Sequence, residues 1–123
     1  MLLKDFYVLN SLEPTGAGTY VASIKLNAAH IIFKGHFPGD PITPGVCVVQ
    51  IIKELSQQII GAPLAMMNAA SIKFVAIINP ELTPDLSFAM EIKDCDDGGI
   101  KVKNITSFGD TIALKLNCTY RRR

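Results

Sequence analysis

Between Thr43-Pro44 and Gly61-Ala62-Pro63 runs a segment that leaves almost no polar face. Thr can cap the free N–H groups of a helix start, and Pro fits the first helical position because its missing N–H costs nothing there. Gly followed closely by Pro is an equally good stop. Between these signals Val46, Val48, Val49, Ile51, Ile52, Leu55, Ile59 and Ile60 cover nearly the whole circumference. A helix that is apolar all round is expected to be buried all round. Something must therefore enclose it, and in a chain of 123 residues that is the remainder of the chain, with or without a partner.

The remainder is strand-like. Phe6 to Asn10 reads as a short strand and Glu13-Pro-Thr-Gly-Ala-Gly as a turn cluster. Tyr20, Ala22, Ile24 and Leu26 alternate with Val21, Ser23, Lys25 and Asn27, which is strand periodicity. His30 to Phe33 reads as a short extended piece, and Lys34 to Thr43 as a loop. Ser71 to Ile78, Leu86 to Ile92, Ile100 to Thr106 and Thr111 to Tyr120 are further strands, separated by Pro, Gly, Asn and Asp clusters. One buried helix enclosed by five or six mostly antiparallel strands is an α+β arrangement, expected as a single domain over residues 1–123.

Composition narrows the function classes. Hydrophobic residues make up 49% of the chain and charged ones 19%, which excludes intrinsic disorder. The formal net charge of +1 gives no global field for nucleic acid or an anionic membrane. Cys47, Cys95 and Cys118 are odd in number and widely spaced, poor material for a disulfide framework or a metal site. Leu55 to Ile72 carries no charge, but Gln57, Gln58, Gly61, Pro63, Asn68 and Ser71 interrupt it. A buried helix followed by a buried turn is expected there, and no membrane span. MLLKDFYVLN places Lys4 and Asp5 ahead of any signal-like apolar run, so a cytoplasmic protein is expected. Without export, the glycosylation patterns at Asn104 and Asn117 carry no meaning.

The most informative segment is Gly35-His-Phe-Pro-Gly-Asp-Pro-Ile-Thr-Pro-Gly45. Pro38, Pro41 and Pro44 stiffen it, which suits preorganised chemistry. The loop runs into a helix start, where the free N–H groups of Gly45 and Val46 can accept a carbonyl oxygen or a developing oxyanion. His36 beside such a terminus suits proton abstraction next to a carbonyl. A purely structural histidine in a turn fits these residues equally well.

GHFPGDPITPGV resembles the signature of the β-hydroxyacyl-acyl-carrier-protein dehydratases, G-H-F-P-x-x-P-x-x-P-G-V. His36, Phe37, Pro38, Pro41, Pro44, Gly45 and Val46 all match it, and the order of elements around the motif agrees. Ile72-Lys-Phe74 and Pro80 to Asp85 loosely resemble later family segments. The resemblance implies a hot-dog fold and a (3R)-hydroxyacyl chain carried on the phosphopantetheine of an acyl carrier protein. It implies neither cofactor nor metal. It also implies sites at a dimer interface, where the histidine removes the α-proton and a helix Glu or Asp serves the departing hydroxyl. Phe37 and Pro44 join Gly45 and Val46 as the substrate-binding residues it suggests, with Phe33, Phe37 and Phe74 as candidates to line an acyl tunnel.

One departure matters. The family's acid stands fourteen positions after the histidine, and here that residue is Gln50. An amide has no proton to give near neutral pH, and a general acid is worth about 10²–10⁴ in rate. Glu54 follows one turn later on nearly the same face, roughly 5–6 Å away between Cβ atoms, as though the acid and a following Gln were exchanged. A solvated or Lys53-paired helix residue is the plainer alternative for Glu54. Three functions therefore compete: a hydro-lyase with His36 as base and Gln50 or Glu54 as second group, an acyl thioesterase, and a non-catalytic or partner-dependent acyl-binding subunit. Expected partners are an acyl carrier protein or acyl thioester, a second copy of the chain in a dimer or larger homo-oligomer, and a catalytic paralogue in a heterodimer. Arg121-Arg-Arg123 reads as a solvated tail, with docking of an acidic carrier protein as its functional alternative. His30, Asp40 and Cys47 read as structural residues.

Overall fold

The computed structural model describes residues 4–34 and 41–123. Strands β1 (Tyr7–Gly16), β2 (Thr19–Leu26), β3 (Leu64–Phe74), β4 (Asp85–Asp94), β5 (Ile100–Phe108) and β6 (Thr111–Arg122) form one sheet in the order β1-β2-β4-β5-β6-β3. Every neighbouring pair is antiparallel. A one-turn helix, α1 (Ile31–Lys34), and a long one, α2 (Gly45–Ile60), lie between β2 and β3 in the chain.

The period of two decides which face is buried. Ala22, Ile24 and Leu26 of β2, Leu86, Phe88 and Met90 of β4, and Leu114, Leu116, Cys118 and Tyr120 of β6 all point inward. They form one core with Val48, Ile51, Ile52 and Leu55 of α2. Each fully buried aliphatic or aromatic side chain there contributes about 1.5–3 kcal/mol over its exposed state. The expected α+β class, with a single long helix wrapped by a sheet, is the observed one. Gly61 closes α2 as expected: it adopts φ 78°, and its N–H donates to the Gln57 carbonyl at 2.8 Å.

Several local expectations fail, each for a physical reason. Of the expected turn cluster Glu13 to Gly18, only Ala17-Gly18 turns; Glu13 to Gly16 is strand, because β1 is an edge and Pro14 needs no ladder bond on its open side. His30 to Phe33 is not extended: the Ile32 N–H donates to His30 Nδ1 at 3.1 Å, and the chain turns into α1. The segment after α2 is no buried turn. Residues Leu64 to Ala70 open β3, which pairs along β6 and is exposed over most of its length. Its Ala-Met-Met-Asn-Ala-Ala run has weak strand propensity, so pairing with β6 decides its state. Finally, α2 is not buried all round. Val46 is 68% exposed, and Val49, Gln50, Lys53 and Gln57 are half-buried, so one stripe of the helix stays open. The glycosylation pattern at Asn104 lies on a buried residue whose Nδ2 donates to Thr106 Oγ1 at 2.7 Å.

Candidate active site around helix α2

At the start of α2 the expected Thr43 cap does not form. The Thr43 N–H donates to the Ile78 carbonyl at 2.8 Å, which holds Thr43 in extended chain. Pro44 becomes the cap residue, with φ −61° and ψ 137° and no side-chain bond to the helix. The N–H groups of Cys47 and Val48 both donate to the Pro44 carbonyl, so those of Gly45 and Val46 precede the intrahelical ladder. The Thr43 hydroxyl, in a residue only 6% exposed, has no hydrogen-bond partner among the described residues. A cavity of about 130 Å³ opens here, lined by Thr43, Gly45, Val48, Phe74, Ile78 and Leu114 among others. Gly45 lets the Phe74 ring lie close: a Cβ at this position would make the ring shift.

Further along α2, the side chains are bound to each other. Gln50 Nε2 donates to Glu54 Oε2 at 3.1 Å, the i,i+4 spacing placing the two groups side by side. The Tyr7 hydroxyl, from the first residue of β1, donates to Glu54 Oε1 at 3.0 Å. All three residues are half-buried. Burial first, and then the charge and hydrogen bond of Glu54, push the Tyr7 hydroxyl far above its ordinary range. Tyr7 therefore remains a donor throughout the physiological range. Glu54 is a partnered group facing β1, not a solvated one.

The stem leading to residues 35–40 is clamped to the same end of β1. Phe6 is fully buried, stacks on Phe33 at 5.1 Å between ring centroids and meets His30 edge-on at 5.2 Å. His30 Nε2 donates to the Lys4 carbonyl at 2.9 Å while Nδ1 accepts from the Ile32 N–H, which fixes the ring's orientation. His30 is thus a structural residue, as expected, and Phe33 belongs to the core. Phe74 is 63% exposed beside Gly45. Burial raises the Cys47 thiol, in keeping with a core residue. His36, Phe37 and Asp40 lie outside the described residues.

The structure therefore brings Gln50 and Glu54 together, and sets Pro44, Gly45 and Val46 at the open helix start. Tyr7 is the participant that sequence reasoning missed, since nothing in β1 marks which of its side chains reaches α2. Among the described residues no group of three or more His, Cys, Asp or Glu is arranged to hold a metal ion. No helix among them is long and apolar enough to cross a membrane.

Known proteins share this architecture. The chain superimposes on the dehydratase heterocomplex ApeI:P from Xenorhabdus doucetiae with a TM-score of 0.70 at 16% identity, covering 94% of this chain and 97% of that one. A hypothetical thioesterase with coenzyme A from Streptococcus pneumoniae TIGR4 gives 0.66 at 11% identity, covering 99% and 91%. Identities this low establish a shared fold and nothing more, and that fold is the hot-dog fold. In sequence, residues 13–104 match the ApeI-like family, described as ApeI dehydratase. The chain belongs to the ApeI-like dehydratase family. Two curated relatives are 3-hydroxyacyl-acyl-carrier-protein dehydratases called FabZ. The one from Dinoroseobacter shibae is 35% identical over 60 residues, 48% of this chain and 36% of that protein. The one from Levilactobacillus brevis is 25% identical over 119 residues, 91% of this chain and 78% of that protein. For the first of these, the match spans about a third of the relative's length.

Proposed function

We propose that the protein dehydrates 3-hydroxyacyl thioesters, with His36 as the base and Glu54 as the group that serves the departing hydroxyl. His36 takes the proton from the carbon next to the thioester carbonyl. The hydroxyl leaves the following carbon as water with the proton that His36 has taken, the Glu54 carboxylate accepting a hydrogen bond from it and orienting it, and a double bond forms between the two carbons. The N–H groups of Gly45 and Val46 hold the thioester oxygen as its charge grows. Gln50 orients Glu54 and the substrate hydroxyl. The acyl chain is carried by a phosphopantetheine thioester, on an acyl carrier protein, and no cofactor or metal takes part.

The observation that carries this reading is the Gln50–Glu54 bond at 3.1 Å. It supplies a half-buried carboxylate one turn from the position where the dehydratase pattern has its own, in a chain of a dehydratase family. Homodimerisation is part of the proposal. β3 is a sheet edge, and Met66, Met67, Ile72 and Phe74 on it are exposed, as are Val75 and Ile77 just beyond. Apolar surface on an unpaired edge suits a second copy of the chain or a catalytic paralogue.

A single incubation tests it. The purified protein is mixed with a 3-hydroxyacyl thioester of a carrier protein, and both enoyl product and free thiol are followed. We expect enoyl formation that is lost in His36→Ala and falls about 10²–10⁴-fold in Glu54→Gln. Thiol release without enoyl product identifies a thioesterase instead. Activity that appears only in Gln50→Glu, or only with a paralogue present, identifies a partner-dependent subunit.

A further inference from the structure

We propose that Tyr7 is a positioning residue that, together with Gln50, locks the Glu54 carboxylate into one orientation for the reaction. This rests on the reading of Glu54 given above and adds a residue that neither the motif nor the helix supplies.

Two hydrogen bonds fix both oxygens of one carboxylate: Tyr7 donates to Oε1 at 3.0 Å and Gln50 Nε2 to Oε2 at 3.1 Å. A glutamate has three rotatable side-chain bonds, and a carboxylate held at one oxygen can still swing about that contact. Donors on both oxygens, from two different elements, remove that freedom.

The anchoring of Tyr7 is itself over-determined. Asp5 adopts φ 59°, a left-handed conformation uncommon outside glycine, and this turns the chain so that successive side chains diverge. Phe6 enters the core, the Phe6 carbonyl accepts from the Asn27 N–H at 2.9 Å, and Asn27 Nδ2 donates to the Asp5 carbonyl at 2.9 Å. His30 holds the Lys4 carbonyl from the other side. Four consecutive residues, Lys4 to Tyr7, are thus fixed against the stem before residue 35 and against α2 at once. The phenol keeps its proton for the reasons given above, so the donor does not switch off in the range where the reaction would run.

The test is a double-mutant cycle on the full chain with a 3-hydroxyacyl thioester, comparing wild type, Tyr7→Phe, Glu54→Gln and the double variant. Tyr7→Phe keeps the packed ring and removes only the donor. We expect kcat to fall roughly 10- to 100-fold, the range for a hydrogen bond to a charged group, with KM within about twofold. In the Glu54→Gln background the same change has less than about a twofold further effect, because Tyr7 acts only through that carboxylate. A second readout does not need turnover. The Gln50 side-chain amide signals in a nitrogen-15 spectrum are expected to shift toward solvent-like positions in both Tyr7→Phe and Glu54→Gln, while the backbone amide signals of the core strands stay in place. Tyr7→Phe with wild-type kcat, a multiplicative loss in the Glu54→Gln background, or an unmoved Gln50 amide overturns the proposal. A wild-type protein that makes no enoyl product overturns the proposed function instead, and the Gln50 spectrum then decides the positioning alone.

Discussion

The start of α2 and the Gln50–Glu54 stretch further along it are built on opposite principles. In the second, Gln50 donates to Glu54, and Tyr7 reaches across from β1 to donate to the other oxygen of the same carboxylate. In the first, Pro44 brings no capping side chain, Gly45 and Val46 precede the helix ladder, and the buried Thr43 hydroxyl has no partner among the described residues. Buried polar groups are almost always paired, so the difference is informative. A satisfied network holds a shape, whereas open donors beside a cavity of about 130 Å³ are available to something that enters it. The helix offers a held carboxylate at Glu54 and, more than two turns before it, a receptive terminus.

Alkali should weaken the whole fold, with Tyr7 of the partnered group contributing to the loss. Burial is the main reason that the Tyr7 and Tyr120 hydroxyls both lie far above their ordinary value of 10.0. A raised value means that the folded state keeps a proton the unfolded chain loses. The stability it contributes is therefore intact below pH 10 and declines as the pH rises past it. Each tyrosine that ionises only on unfolding costs up to about 1.4 kcal/mol per pH unit. Solvent reaches half-buried Tyr7, so its share is smaller than that of fully buried Tyr120. Denaturation curves between pH 9 and 12 check this, with Tyr7→Phe expected to show the shallower fall.

The open turn is sharpened by Gly45→Ala. The added Cβ meets the end of the Phe74 ring, and because that ring is exposed and can move, the cost is expected at the low end for overpacking, about 1 kcal/mol. Urea unfolding should show that loss, and Phe74→Leu in the same chain should recover much of it. A loss that Phe74→Leu leaves untouched would mean that the glycine is needed by the backbone rather than by the ring.

These two stretches were not equally legible. The stop at Gly61, the alternation in β2 and β6, and the α+β class follow from residue type and period, which are local properties. The Gln50–Glu54 pairing follows from helix geometry alone. Tyr7 does not, because its partner lies 47 positions away in sequence and only the wrap of the sheet around α2 brings them together. Thr43 misleads for the same reason. Thr before Pro is a strong capping signal, but a bond to Ile78, from a segment beyond β3, takes the residue elsewhere. The run after α2 misleads in the other direction: its lack of charge suggests burial, while the fold places it on an exposed edge. Residues 35–40, where the motif is densest, lie outside the described structure, so the expectation for His36 rests on the sequence and on the family.

The smallest effect, and the most discriminating for the open turn, is expected from Thr43→Val. Valine copies the shape of threonine without its hydroxyl. A buried hydroxyl with no partner is unfavourable, so its removal should leave the ligand-free protein as stable as before or more stable by up to about 1 kcal/mol. If the hydroxyl serves only as an unsatisfied remnant, thioester binding is unchanged as well. If it meets the thioester at the helix start, the stabilised variant should bind a non-hydrolysable 3-hydroxyacyl thioester analogue several-fold more weakly, measured by calorimetry. Opposite signs in stability and affinity from one substitution mark a polar group kept for a ligand. A loss of stability would show instead that the hydroxyl is satisfied within the folded chain, and the contrast between the two stretches would fall with it.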